Sequence, residues 1–496
     1  MNTNDRTIIK NASVMMVTQV FTWGLALLTT LFLPRYLGAN GLGQFHLATS
    51  IWAMVGIIAA FGMDAVVIKE IARDPARTAE LFTNTALVRS IFFIIGSAVV
   101  ALYSHWAGYP TLTVQVIMII GISQFIGYLT AACQSSLQGL ERMEFSSLGQ
   151  AVERTLVTLA SIGLLLLGFG VLSIALINVV GSLVGLTIQF VTLNRLQKLR
   201  FQVDIGTIKW LLKTSVPFLL FSSFIVIYGQ IDTIIISLLV NEQGVGWYSV
   251  TDRLYGTFLF IPTIFISAAY PALSRLFTDD ANSLARLIRK SFELMVLIAV
   301  PIGLGLSMIA DPLVILLFGA DFQKSGPILS LRAVILIFTY LNMLIGMFLL
   351  SIDKQKAWAI VMGVATLVSI PLDIVLVPWC ERIFNNGAMG GAFSYMVTES
   401  AMLLAALILL PKGLLTRANG WYAARVLLAG LGMLAVTWWS REMFLGIPLT
   451  FGAASYLLFL VVLRVLTKEE WYFIKKLSAS VLHRVTGRLA QPANLS

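Results

Sequence analysis

Hydrophobic residues fall in long unbroken runs along this chain, separated by short polar segments. A bilayer core of about 30 Å is crossed by about 20 apolar residues in a helix, and about fourteen runs reach that length. A transmembrane barrel would show alternating apolar positions, so strands are not expected. The pattern predicts an all-α membrane protein with spans at residues 12–34, 43–63, 84–106, 113–137, 147–168, 171–194, 213–239, 245–272, 292–318, 328–351, 357–379, 388–411, 424–439 and 446–466.

The composition supports a membrane location. Of the 496 residues, 58% are hydrophobic and 12% are charged, whereas soluble domains carry about 25% charged residues. Too few charges are present to cover a surface in water, which excludes secreted, disordered and nucleic-acid-binding proteins. The net charge of +10 is explained instead by cytoplasmic loops rich in Lys and Arg.

The positions of Lys and Arg orient the fourteen spans. With the N-terminus in the cytoplasm, 25 of the 34 Lys and Arg residues lie on the cytoplasmic side, 4 on the outer side and the rest within spans. This bias predicts that both termini are cytoplasmic. The polar start of the chain runs into the first span without a small-residue cleavage site, so the first helix is expected to be retained.

Two sequence matches indicate an internal repeat. Gly41–Phe45 opens the second span and Gly244–Tyr248 opens the eighth, while Gly139–Arg142 follows the fourth and Ser351–Lys354 follows the tenth. Each match relates a span to the one six further on, which predicts two six-helix lobes related by a parallel repeat. The predicted parts are an N-lobe (1–194), a basic cytoplasmic linker (195–212), a C-lobe (213–411), two added helices (412–467) and a cytoplasmic tail (468–496).

The chain lacks the usual signatures of catalysis and metal binding. Cys133 and Cys380 are far apart in apolar surroundings, and His46, His105 and His483 occur singly, so neither a disulfide nor a metal site is expected. No Gly-rich phosphate loop with its Lys is present. We therefore expect no cofactor and no enzymatic activity.

Charged residues inside the spans are the candidates for function, because each costs about 2.5–3.5 kcal/mol at the centre of a membrane helix. Asp232 in the seventh span and Asp252 and Arg253 in the eighth are predicted at one depth. They form either a polar patch on a cavity wall or a charge pair that ties the hairpin together. Glu399 near the midplane and Arg35 at the outer mouth of the first span are further candidates for substrate binding.

Other buried charges are predicted to form ion pairs or to take part in coupling. Arg89 lies at the depth of Asp64 near the cytoplasmic side, and Arg332 lies at the depth of Asp373 in the outer third of the membrane.

The chain carries a set of short motifs that is specific only in combination: Leu33–Gly38, Gly41–Phe45, Gln138–Met143, Gln230–Asp232, and Gly244 with Trp247 and Tyr248. With these motifs, residues 7–470 resemble the polysaccharide transporter branch of the multidrug/oligosaccharidyl-lipid/polysaccharide exporter superfamily. Within that branch the chain looks like a lipid-linked oligosaccharide flippase of O-antigen, exopolysaccharide or capsule pathways. The resemblance implies two lobes in a V around a central cavity, which agrees with the predicted repeat.

The resemblance also implies a substrate and partners. The substrate would be an undecaprenyl-diphosphate-linked oligosaccharide, moved across the bacterial inner membrane by alternating access and coupled to H⁺ or Na⁺. Membrane lipid, a polysaccharide polymerase and a chain-length regulator are the implied partners. Arg35, Asp232 and Arg253 are the matching positions for substrate contact. The first span has no charge before Arg35, unlike the lipid II branch, so a peptidoglycan precursor is not the expected substrate.

Two alternative functions belong to other classes. A cation-coupled multidrug exporter of the same superfamily would need acids in its N-lobe cavity, whereas Asp64 and Glu153 are predicted near the cytoplasmic end. A polysaccharide polymerase or ligase would need a large outer loop, and the longest one predicted here has only about ten residues.

Cysteine labelling tests this topology. An impermeant thiol reagent applied from outside should label cysteines placed at Gly108, Glu242 and Lys324, and should leave cysteines at Arg73, Lys198 and Lys412 unlabelled. Labelling from outside at position 198 would contradict both the fourteen-span topology and the parallel repeat.

Overall fold

The computed structural model describes residues 3–440, 443 and 446–465. This part of the chain is all-α, as predicted, and contains no strand. Besides short 3₁₀ turns at Pro75–Arg77 and Ala320–Phe322, it forms the helices α1 (Thr3–Ala60), α2 (Met63–Arg73), α3 (Thr78–Trp106), α4 (Thr111–Gly139), α5 (Met143–Leu166), α6 (Val171–Leu196), α7 (Ile205–Leu239), α8 (Glu242–Phe258), α9 (Phe260–Asp279), α10 (Ala281–Met308), α11 (Ala310–Phe318), α12 (Ser325–Ser351), α13 (Gln355–Phe384), α14 (Ala388–Leu409), α15 (Arg417–Ser440) and α16 (Gly446–Val462).

Each predicted span overlaps one or two of these helices. The first two spans are the two arms of α1, which bends at Gly38, where φ is 66°. The eighth span is divided between α8 and α9 at Leu259. Ten helices in the described residues are long and apolar enough to cross a membrane. The protein is therefore a multi-pass membrane protein, and the number of fourteen crossings stays a prediction.

Helix packing follows the same scheme in the two predicted lobes. In the N-lobe α4 packs on α6 and α1 packs on α5; in the C-lobe the equivalent pairs are α12 on α14 and α7 on α13. Helix α15 packs on α10, which places the first added helix against the C-lobe. The predicted tail, 468–496, lies outside the described residues.

The predicted linker, 195–212, is non-helical only between the end of α6 and the start of α7. Its backbone is attached to α3 of the N-lobe through two side chains, Thr83, which donates to the carbonyl oxygen of Arg200 at 3.4 Å, and Asn84. Asn84 donates to the carbonyl oxygen of Gln202 at 3.1 Å and accepts from the N–H of Asp204 at 3.0 Å. The linker therefore packs with the N-lobe up to the residue that caps α7.

The turns after α4 and α12 have the same backbone structure. Glu141 and Asp353 both have a positive φ, 58° and 61°, which is uncommon for a residue other than glycine. In each turn the next N–H donates to a carbonyl five residues back: Arg142 to Leu137 at 2.9 Å, and Lys354 to Leu349 at 2.8 Å. This is a helix cap with a left-handed residue, repeated 212 positions apart.

A third repeated element lies on the side predicted to be cytoplasmic. Asp74 and Asp280, 206 positions apart, both adopt an extended backbone and accept a hydrogen bond from the N–H two residues on, at 3.1 Å and 2.9 Å. The hydroxyl and the N–H of Ser283 also donate to Asp280, and these bonds lower the pKa of its carboxyl group. The sequence comparison did not identify this match, because only the aspartates and their backbone geometry are shared.

The two lobes meet backbone to backbone at two glycines of the repeated motif. A methyl group added at Gly43 of α1 would overlap the carbonyl oxygen of Glu242, and one added at Gly246 of α8 would overlap the carbonyl oxygen of Ala39. Only glycine permits such a close approach. The contact is reciprocal, as expected when equivalent segments meet at a pseudo-twofold axis.

Polar contacts reinforce this glycine contact on the side predicted to face outward. The N–H of Ala39 donates to Asp321 Oδ2 at 2.5 Å, and the indole of Trp247 donates to the Asp321 carbonyl oxygen at 3.0 Å. Thr113 donates to Glu242 at 2.9 Å. The lobes are therefore in contact on the side predicted to face outward.

The glycine contact predicts a specific effect of small substitutions. Gly43→Ala or Gly246→Ala should separate the lobes on the outer side, because the added methyl meets backbone that cannot move aside. With the native cysteines replaced, spin labels at Gly108 and Lys324 should show a longer distance in either variant. Gly163→Ala is the control, since a methyl group there meets no atom within 4 Å. Unchanged distances in both Gly43→Ala and Gly246→Ala would show that the glycine contact does not hold the lobes together.

Candidate functional site

A cavity of about 530 Å³ lies between the first arm of α1 and helices α8 and α9. The N-lobe contributes Trp23, Leu27 and Thr30 to its lining, and the C-lobe contributes Arg253 and Phe260 among others. The rings of Trp23 and Phe260 meet edge to face, with centroids 4.5 Å apart. The cavity is therefore bounded by both lobes, and most of its wall is apolar.

Arg253 is the charged residue of this cavity wall. It is half-buried, and its guanidinium forms no ion pair or side-chain hydrogen bond among the described residues. The adjacent Asp252 supplies the nearest compensating charge, but its carboxylate is bonded elsewhere. A cation at the edge of an apolar cavity is a binding group for an anion, since charge interactions strengthen where water is scarce.

Asp252 is held by Arg332 of α12. Arg332 Nη1 lies 2.6 Å from Asp252 Oδ1, and only 4% of the arginine side chain is exposed against 39% of the aspartate. Arg332 Nη2 also donates to the hydroxyl of Tyr248 at 2.8 Å. The guanidinium lies 4.3 Å from the centroid of the Tyr248 ring, with the rings of Tyr255 and Tyr395 within 5.5 Å. Arg332 thus has both an ion pair and aromatic faces to offset its burial.

The network continues from Tyr248 to two acids. The Tyr248 hydroxyl donates to Asp232 Oδ2, and Asp373 of α13 lies beside Asp232. Neither carboxylate oxygen of Asp373 has a regular hydrogen-bond partner among the described residues. The expected ion pair between Arg332 and Asp373 is therefore absent, because Asp252 and Tyr248 occupy Arg332, and Asp373 adjoins an acid instead.

Glu399 of α14 belongs to a separate group in the C-lobe. Its Oε2 accepts from Thr339 at 2.8 Å and from Asn342 at 2.9 Å, and its Oε1 accepts from the Tyr228 hydroxyl at 3.2 Å. These donors come from α12 and α7, which explains why the sequence around Glu399 offered no partner.

The remaining predicted residues lie apart from this cluster. Arg35 is exposed near the C-terminal end of the first arm of α1, which is predicted to face outward, and it makes no ion pair or side-chain hydrogen bond among the described residues. Arg89 is fully buried in the N-lobe, where Nη2 lies 2.7 Å from Asp64 and Nη1 donates to the Tyr128 carbonyl oxygen at 2.7 Å. The Arg89–Asp64 pair joins α3 to α2.

His46 is a residue that the sequence reading did not select. It lies on the second arm of α1, within electrostatic range of Asp252, Arg253 and Arg332 of the C-lobe. A single histidine gave no signal by itself. Only the structure supplies the link, because it shows that Gly43, three residues away and on the same helix face, contacts the C-lobe.

The different bonding of Asp252 and Arg253 predicts different effects on stability. Asp252→Asn leaves the buried Arg332 without its ionic partner and should lower the free energy of unfolding by about 2 kcal/mol, below the usual 3–5 kcal/mol because Asp252 is partly exposed. Arg253→Gln removes no bond and should leave the thermal unfolding temperature unchanged. Melting of both variants in detergent tests this, and equal destabilisation would show that Arg253 also has a structural role.

Comparison with known proteins identifies the family. Residues 8–277 match the model of a family described as "Polysaccharide biosynthesis protein". The probable flippase AglR of Haloferax volcanii is 24% identical over 420 residues, which is 81% of this chain and 82% of that protein. A putative O-antigen transporter of Salmonella typhi is 30% identical over 105 residues, 21% of this chain and 24% of that protein.

Solved structures share the fold. The lipid II flippase MurJ in an inward closed conformation has a TM-score of 0.70 and 14% identity, with 92% of this chain and 99% of that chain covered. An inward-facing multidrug resistance transporter of the MATE family has a TM-score of 0.61 and 16% identity, covering 81% and 94%. The resemblance noted from the sequence motifs is thus confirmed, and the chain belongs to the polysaccharide biosynthesis protein family, with the fold shared by MurJ and MATE transporters.

Proposed function

We propose that this protein is a flippase that translocates lipid-linked oligosaccharide units across the membrane by alternating access. The observation that carries the proposal is the unpaired guanidinium of Arg253 in an apolar cavity between the two lobes. The relatives that span most of the chain are described as flippases, and a transporter requires no catalytic residues.

The chemistry of the cavity fits an amphiphile with an anionic head. A diphosphate carries about two negative charges, and its attraction to a cation rises several-fold when the effective dielectric falls from 80 towards 20. The planar guanidinium of Arg253 can bind two phosphate oxygens at once. The apolar wall formed by Trp23, Leu27 and Phe260 suits the adjoining lipid. We therefore assign the undecaprenyl diphosphate group to this cavity.

The buried network provides a path from substrate to coupling ion. A diphosphate at Arg253 adds negative charge beside Asp252, which weakens the hold of Asp252 on Arg332. Arg332 also bonds Tyr248, and Tyr248 bonds Asp232. The adjoining acids Asp232 and Asp373 favour a proton or a cation between them, because two buried carboxylates repel. We assign H⁺ or Na⁺ coupling to Asp232 and Asp373. Polysaccharide export that survives collapse of both the proton and the sodium gradient would contradict this assignment.

The proposed setting is a bacterial inner membrane, with both termini in the cytoplasm. The repeat units would be delivered from the cytoplasmic side and released outside to a polysaccharide polymerase and a chain-length regulator. Arg35, exposed at the outer end of α1, is proposed to contact the substrate during release.

The alternatives have weaker support. For a cation-coupled multidrug exporter, the charged group of the interlobe cavity has the wrong sign, since Arg253 would repel organic cations. A polymerase or ligase would require reactive side chains in a large outer domain, and the outer turns between described helices are short.

The central prediction concerns Arg253. Deletion of the gene should stop surface polysaccharide and leave lipid-linked repeat units in the inner leaflet, with drug sensitivity unchanged. Arg253→Ala should abolish export at normal protein levels, because it removes the phosphate-binding cation. Arg253→Lys should keep part of the export, because it retains the charge but not the planar fork. Polysaccharide on the cell surface is the measurement.

Arg464→Ala is the matched control, since Arg464 is exposed at the end of α16, and its export should be nearly unchanged. Normal export by Arg253→Ala, together with degradation of Asp232→Ala, would show that Asp232, Asp252 and Arg253 stabilise the fold and do not bind substrate. Loss of resistance to cationic drugs with intact polysaccharide would favour the multidrug exporter.

A further inference from the structure

The linker between the lobes carries three large apolar side chains that the described part of the protein leaves uncovered. Phe201 is 95% exposed, Val203 is 56% exposed and Ile205 is 68% exposed. They alternate with polar residues, and they lie outside the predicted spans, so a lipid-facing helix does not account for them. A cluster of exposed apolar residues marks a surface that contacts another molecule or a membrane.

The linker backbone is held along α3 at alternate residues. The carbonyl oxygens of Arg200 and Gln202 accept hydrogen bonds from Thr83 at 3.4 Å and from Asn84 at 3.1 Å. The N–H of Asp204, which has an extended backbone, donates to Asn84 Oδ1 at 3.0 Å. In an extended chain, alternate side chains share one face. The apolar side chains at 201, 203 and 205 therefore share a face that is set by the fold.

The linker lies at the level of the membrane boundary. Thr83 and Asn84, to which it is bonded, stand at the start of the predicted third span, on the side predicted to be cytoplasmic. Trp210, close after the linker on α7, is 37% exposed, and the Arg77 guanidinium lies 5.4 Å from the centroid of its ring. Tryptophan is enriched at membrane–water interfaces. Lipid at this depth can remove the apolar face from water.

The surface around the linker has an excess of positive charge. The one acid within it, Asp204, caps α7 by accepting from the N–H of Thr207 at 2.7 Å. On the adjoining N-lobe surface, Glu70 and Glu80 pair with Arg77 at 3.4 and 3.5 Å. Five exposed basic residues belong to the linker and its two flanking helix ends: Arg195, Lys198, Arg200, Lys209 and Lys213.

We propose that the linker is a membrane-binding element, which inserts Phe201, Val203 and Ile205 among the lipid headgroups and binds anionic phospholipid through the flanking basic residues. An apolar face beside Lys and Arg is the combination with which surface segments bind anionic membranes. A soluble protein could cover the same face, but the depth and the charge of the linker favour the membrane surface. The element lies outside the interlobe cavity, so this proposal goes beyond the proposed function and is independent of it.

Spin labels test the insertion. They are placed on single cysteines at 200, 201, 202, 203 and 205 of the full chain, with the native cysteines replaced, in liposomes of phosphatidylglycerol and phosphatidylcholine. Collisions with oxygen report lipid, and collisions with a nickel chelate report water. Labels at 201, 203 and 205 should give the lipid value, and labels at 200 and 202 the water value. The references are Ile408, which is 82% exposed on α14, for lipid, and Ala76, exposed in the turn before α3, for water. Water values at all five linker positions would overturn the proposal.

A second measurement tests the preference for anionic lipid. A fluorophore on Val203→Cys is quenched by spin-labelled phosphatidylglycerol or spin-labelled phosphatidylcholine when that lipid lies beside the linker. Phosphatidylglycerol should be preferred at least about fivefold, the factor expected from one Lys or Arg at an anionic surface. A variant that also carries Lys198→Gln, Arg200→Gln and Lys209→Gln should lose this preference, because those charges are proposed to hold the headgroups.

The matched control removes the same charge from three exposed C-lobe residues on the same predicted side and should keep the preference: Lys356→Gln, Lys412→Gln and Arg417→Gln. Equal quenching by the two lipids without the glutamine substitutions, or an unchanged preference with those in the linker, would contradict the binding of anionic phospholipid. Linker cysteines that are open to water in liposomes, yet protected from an impermeant thiol reagent in native membrane vesicles, would identify a soluble protein as the occupant and overturn the proposal.

Discussion

The ion pair between Arg332 and Asp252 determines how the other charges of the C-lobe are used. An arginine with 4% of its side chain exposed is retained in a membrane protein only with an ionic partner close by. Asp252 fills that role, although it adjoins Arg253 in the chain. Arg253 is consequently left without a partner, at the wall of a cavity that both lobes line. The proposed binding residue, Arg253, and the structural residue, Asp252, are neighbours in sequence. Their roles differ because Arg332 pairs with Asp252 and leaves Arg253 without a partner.

The lobes touch at a place where the repeat brings equivalent backbone segments together. Gly43 and Gly246 each face the main chain of the other lobe. Because backbone meets backbone, no side chain can change its rotamer to absorb a displacement, and the contact is sensitive to small movements of the helices. Contacts of this kind are bistable, because close-packed surfaces fit in discrete arrangements and not in intermediate ones. His46, one turn from Gly43, interacts electrostatically with Asp252 and Arg253. The charges of the C-lobe cluster therefore act electrostatically on a residue one turn from the lobe contact.

The sequence predicted the helices and the repeat, because both depend on local features. Apolar length marks a span, and the acid-base pairs after α4 and α12 mark matching turns. The pairing of charges could not be predicted, since Arg332 and Asp252 are 80 residues apart and depth alone made Asp373 look equivalent. Depth is one coordinate of a membrane residue, and the direction in which its side chain points around the helix is the other. His46 and the donors of Glu399 were missed for this reason.

In the proposed mechanism, the charge balance of the C-lobe is what links substrate binding to ion coupling. In the described part of its interior, Asp232, Asp252, Asp373 and Glu399 stand against Arg253 and Arg332. Two acids are thus in excess, and a low-dielectric interior does not tolerate bare carboxylates. Glu399 is stabilised by three donors, which leaves the adjoining acids Asp232 and Asp373 as the place where a proton or a cation is most favourable. A diphosphate bound at Arg253, as proposed, would increase the negative charge still further. The affinity for a positive ion would then rise when substrate binds, and by linkage the ion would favour the substrate equally.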